Sequence, residues 1–110
     1  MKLTGGKKCN TMIKPMNKPK IALLDKGETF KTLQISGDDN MFMPKHISTE
    51  EAIVILLEGS AIIEMDENEY LLRAKDSLII PAGQVHSFLV ITKLKALVIM
   101  PVDSAIKFIN

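Results

Sequence analysis

His46 and His86 are the only imidazoles in the chain and its strongest candidates for chemistry. Histidine changes charge near neutrality, and its neutral ring is a common transition-metal ligand. Two of them can hold a metal, move a proton or form the polar end of an apolar pocket. Each also has a plainer use. His46, beside Pro44 and Lys45, can be a loop or edge residue that faces solvent, and His86 can be a buried ring bonded to backbone that orients the bend after Gly83. The other constellations lack essential parts. Ser48, Ser60 and Ser77 have no nucleophile-elbow glycines, and Gly5-Gly6 lacks the remainder of a phosphate loop. Asp66-Glu67-Asn68-Glu69 reads as a solvated hairpin tip, because the ligand alternation and turning glycine of a calcium loop are missing. Cys9 stands alone, with no disulfide partner and no zinc-ligand spacing around it, which suits a reducing compartment.

The elements that must position the two histidines are strands. Short apolar stretches separated by turn residues predict strands at Thr29 to Ile35, Met41 to Met43, Ala52 to Leu57, Ala61 to Met65, Glu69 to Arg73, Ser77 to Ile80, Ser87 to Ile91 and Ala96 to Met100. Periodicity alone leaves Ala52 to Leu57 open to a helix. Its six residues, rich in isoleucine and valine and closed by Gly59, suit a strand covered on both faces. Ala105 to Ile109 is where one helical turn is expected. Residues 1–20 hold six lysines, Gly5-Gly6 and two prolines, and read as a flexible arm ahead of a single domain over residues 21–110.

Strand parity then groups side chains. His46, Ser48, Ala52, Val54 and Leu56 fall on one face if no bulge intervenes, with His86 and Phe88 reaching the same interior from across the sheet. Ile53, Ile55, Leu57, Leu89 and Ile91 fall on the outer face, and an apolar outer face predicts a homodimer.

Two worn half-motifs add a resemblance. Gly59 closes the first, whose histidine, second histidine and glutamate positions hold His46, Ser48 and Ala52. The second keeps Pro81, Gly83 and His86, with Lys75 in place of its leading glycine and Val90 in place of its final asparagine. From near Thr29 to Met100 the chain thus resembles the small single-domain cupins. That resemblance implies an all-β, cupin-type double-stranded β-helix, a jelly-roll barrel with the arm outside it. It also implies a divalent transition metal at the lumen, for which His46 and His86 remain as ligands and Glu51 is a substitute for the lost acid. Two nitrogens and one displaced carboxylate would bind such an ion weakly.

Composition narrows the partners. With 14 basic and 13 acidic side chains the formal charge is +1, too small a field to gather nucleic acid, and the apolar runs of about six residues fall far short of the ~20 that span a bilayer as a helix. No export signal is visible at the start, so the expected location is the cytoplasm. Three functions remain in view: a small-molecule-binding protein with its polar end at the two histidines, a metal-dependent enzyme of the dioxygenase, isomerase or cyclase type acting on a small organic substrate, and a protein-interaction module without an active site.

Overall fold

The computed structural model describes residues 18–109, all of them in strands and connections. Eight strands follow in order: β1 (Lys20–Lys26), β2 (Phe30–Gly37), β3 (Phe42–Ser48), β4 (Ala52–Met65), β5 (Asn68–Arg73), β6 (Ser77–Ile80), β7 (His86–Pro101) and β8 (Ile106–Phe108). All pairings are antiparallel. The expected arm lies outside the described residues apart from its last three, of which Pro19 is buried and Lys20 opens β1.

β4 and β7, the longest strands, pair along most of their lengths, from Ile53 opposite Ile99 to Met65 opposite His86. Each serves both halves of the molecule. The N-terminal half of β4 and the C-terminal half of β7 belong to a sheet ordered β1-β2-β7-β4-β6. Their other halves belong to one ordered β8-β3-β7-β4-β5. Side chains from both sheets, such as Val54 and Val98 from the first and Ile63 and Phe88 from the second, meet around one interior. This is the jelly-roll, double-stranded β-helix form expected from the sequence. Among the described residues no helix is long and apolar enough to cross a membrane.

The strands expected at Ala52 to Leu57 and Ala61 to Met65 are one strand, β4. The strand in fact runs through, with ladder irregularities between Leu56 and Ala61 that bend it from one sheet into the other. β7 likewise absorbs both strands expected between Ser87 and Met100. At the corner Gly59 has φ 80°, and any Cβ there would run into the Lys93 carbonyl oxygen. A bulged corner brings two backbones closer than a side chain permits, so glycine is required.

Two other expectations change. β1 was not anticipated, because its apolar run Ile21-Ala22-Leu23-Leu24 does not alternate, and as an edge strand it leaves Leu23 and Leu24 exposed. Residues 106–108 form a strand rather than a helical turn, since β3 offers an unpaired edge there and Ile106 pairs with Ser48.

The interior is apolar. Met43, Leu56, Ile63, Ile80, Val90 and Leu94 are fully buried, and each such side chain contributes roughly 1.5–3 kcal/mol relative to exposure. The outward parity of the first sheet is apolar too, with Ile53, Ile55, Leu97 and Ile99 half-buried and Ile79 and Leu57 exposed.

Turn chemistry yields a test. Lys75, at the worn glycine position, has φ 80° in a turn closed by the Asp76 N–H donating to the Arg73 carbonyl. A side chain in that left-handed region costs about 1–2 kcal/mol. Lys75→Gly should therefore stabilise by about 1 kcal/mol, while Gly59→Ala should destabilise by at least ~3 kcal/mol. Urea unfolding midpoints of the two variants will read opposite signs if the corner and turn are assigned correctly.

Candidate functional site

His46 reaches the interior because β3 is irregular. Met43 and His46, three residues apart, both point inward, and the ladder with β7 slips between them. Pro44 sits in that irregularity, where its missing N–H costs no ladder bond. Its freed carbonyl accepts a hydrogen bond from His46 Nδ1 at 2.6 Å. His86 repeats the arrangement, its Nδ1 donating to the Gln84 carbonyl at 2.9 Å, again two residues back. The turn before it is closed by the Gln84 N–H on the Pro81 carbonyl, with Gly83 at φ 74° as that turn demands. The Gly83 N–H also donates to the Ser48 carbonyl at 2.8 Å, which ties this turn to β3.

His46 and His86 are direct partners across the β3–β7 ladder, and their ring centroids lie 4.1 Å apart. They are 4% and 8% exposed, so the solvent-facing alternative for His46 does not hold. Phe108, the partner of His46 on β8, flanks it at 5.3 Å between centroids, and the Lys18 ammonium lies 4.6 Å from that Phe108 ring. Carbonyls only accept, so both Nδ1 atoms carry hydrogen and each neutral ring leaves Nε2 as a bare acceptor. Among the described residues neither Nε2 has a hydrogen-bond partner.

His46, Ser48, Ala52, Val54, His86 and Phe88 line one interior chamber, as their parity suggested, even though a bulge does precede His46. Leu56 does not join them. It is buried near the Gly59 corner, beyond the chamber wall. Glu51 is exposed, because the alternation that turns Ala52 inward turns Glu51 out, and it does not substitute for an interior acid. The chamber is small, about 30 Å³, which accommodates roughly two water molecules. A larger cleft of about 260 Å³ lies outside it at the β4–β5 hairpin tip, lined by Lys45, Glu64, Asp66 and Glu67, and His86 borders both spaces. Sequence reasoning missed this cleft, although the acids of the tip were visible.

A metal, as the resemblance implies, would meet two nitrogens here and little else. Ser48 Oγ already donates to the Glu50 carbonyl at 2.6 Å, Ala52 offers no donor, and no group of three or more His, Cys, Asp or Glu among the described residues could hold an ion. The residues present do not complete a ligand set.

Burial holds both rings below the ordinary histidine value. His46 is lowered to about 4 by desolvation first, against the opposing bond to Pro44, with repulsion from His86 adding to the fall. His86 is lowered by the same desolvation, opposed by its bond to Gln84. Between about pH 6.5 and those lower values the unfolded chain therefore binds more protons than the folded one. Stability should be full above about pH 6.5 and fall as the pH drops toward about 4, the value to which His46 is lowered, with His86 contributing in the same direction. Urea midpoints recorded across that range test the sign, and His46→Phe should remove part of the slope.

Comparison with known proteins agrees with the fold. Residues 39–101 match the family described as the cupin domain. A cupin superfamily protein from Desulfitobacterium hafniense is similar in structure, with TM-score 0.71, 21% identity and 84% of each chain covered. The DMSP lyase DddQ from Ruegeria pomeroyi superposes with TM-score 0.75 at 18% identity, over 83% of this chain and 51% of that one. KdgF from Halomonas sp. gives 0.71 at 11% identity, over 84% and 85%. At these identities the likeness establishes the fold alone. No curated protein matches the sequence.

Proposed function

The chain belongs to the cupin domain family, and from that membership we propose that it binds a small organic molecule in the barrel lumen, with the molecule's polar end at His46 and His86. One observation carries the reading: two buried imidazoles stand side by side in an apolar chamber with both Nε2 atoms uncommitted among the described residues. A ring nitrogen with no partner among the described residues can accept a hydrogen bond from whatever enters, which gives the apolar chamber its polar end. Methionines 43 and 100 line the wall and are unbranched, so a ligand somewhat larger than the chamber meets adaptable side chains. Thermal unfolding against a panel of small organic compounds is the direct assay, because a molecule that binds only the folded state raises Tm.

The metal-dependent enzyme is the competing reading, and the same two nitrogens support it. The incomplete ligand set favours weak binding. By calorimetry the wild type should bind nickel or zinc weakly, and Ser48→His with Ala52→Glu, on the inward parity of His46, should bind at least about tenfold more tightly, a gain of ~1.4 kcal/mol. Ala52 is closely packed, so the added glutamate should cost about 1–3 kcal/mol of stability. Tight, stoichiometric binding by the wild type that disappears in His86→Ala would instead favour the enzyme.

A further inference from the structure

Building on the lumen-binding reading, we infer that the ligand presents an NH2 group, as a compact primary amide, and that carboxylates and ketones are rejected. The hydrogen-bond inventory of the chamber points to this. Each Nδ1–H is spent on a backbone carbonyl, at Pro44 and at Gln84, so neither ring offers a hydrogen to the interior. The hydroxyl of Ser48, the other polar side chain on the wall, is spent on the Glu50 carbonyl. Every remaining wall side chain is apolar. The chamber therefore has two acceptors and no free side-chain donor among the described residues.

A carboxylate brought there would lose its hydration and face two lone pairs. A ketone would do the same without the charge, and unlike an amide, whose carbonyl is also left without a donor, it brings no N–H to set against that loss. An NH2 nitrogen carries two hydrogens, and the two rings stand 4.1 Å apart, close enough for one group to lie against both. The requirement is also a discriminating one, since buried groups left unpaired penalise the wrong partner heavily.

The outer cleft favours the same class. It sets the carboxylates of Glu64, Asp66 and Glu67 against the single ammonium of Lys45, and it reaches His86 from outside. A cleft of that sign beside the chamber repels anions and tolerates or attracts donors and cations. The inner acceptors and the outer field are independent features, and they select alike. Size adds a limit, because space for roughly two waters admits a body of only a few non-hydrogen atoms.

Isosteric probes separate the inference from the reading beneath it. Formamide and acetamide are compared with formate, acetate and acetone by thermal unfolding at neutral pH and matched ionic strength. At about ten times its Kd an amide should raise Tm by roughly 6–11 °C, while the three acceptors leave it unchanged. A comparable rise with acetate or acetone overturns the NH2 requirement and leaves lumen binding standing. Silence from all five compounds overturns the NH2 inference and leaves lumen binding to the wider panel. Nitrogen-15 spectra of the histidine rings supply the second measurement. They should show hydrogen on Nδ1 and none on Nε2 in both residues, with only Nε2 shifting as amide is added, and hydrogen found on Nε2 would overturn the inference. His46→Phe, which keeps a ring and loses the acceptor, should abolish the amide response.

Discussion

The close approach of two backbones at Gly59 and Lys93 is the constraint on which the molecule rests. β4 and β7 each contribute to both layers, so each must bend between them. Bending them together keeps their ladder nearly continuous, and the bend is tight enough that the Lys93 carbonyl occupies the space of a Cβ at residue 59. Once both strands turn there, Val54 and Val98 from one layer face Ile63 and Phe88 from the other, and the interior exists. Hydrophobic burial stabilises this arrangement, but the corner makes it possible.

The histidine pair depends on that arrangement indirectly and on its own backbone directly. Each ring is held by a carbonyl two residues earlier in the same segment, so tautomer and orientation follow from local irregularities at Pro44 and at the Pro81-Gly83 turn. The ladder then only has to bring the two segments side by side. A bulge and a glycine-bearing turn, which weaken sheets elsewhere, aim side chains here.

Much of this was legible in the sequence, and the losses have physical causes. Glycine, proline and histidine at Gly59, Pro81, Gly83 and His86 mark backbone that few residues can adopt, so the barrel could be read from them. Lys75 hid its turn because lysine occupies a conformation that glycine usually takes. Parity carried His46, Ser48 and Ala52 to one chamber because they lie beyond the β3 irregularity and share its phase. Leu56 broke away because the ladder irregularities begin immediately after it, and no local signal separates a strand corner from a strand end. Glu51 was credited to the interior by its place in the chain, whereas alternation alone assigns it to solvent. The outer cleft brings Lys45 together with Glu64, 19 positions later in the chain, and pattern reading does not bridge that separation.

The central position of β7 also governs the order in which the chain can assemble. β2 and β4 are neighbours of β7 in the first layer and not of each other, and β3 and β4 stand in the same relation in the second. Until residues near Met100 are available, the β4–β5 hairpin and the β1–β2 pair have partners, but no strand joins them into a layer. Closure of loops this distant is entropically slow. On a ribosome that emits the chain from its N-terminus, the apolar inner faces of β2, β3 and β4 therefore wait uncovered until β7 has emerged to join them.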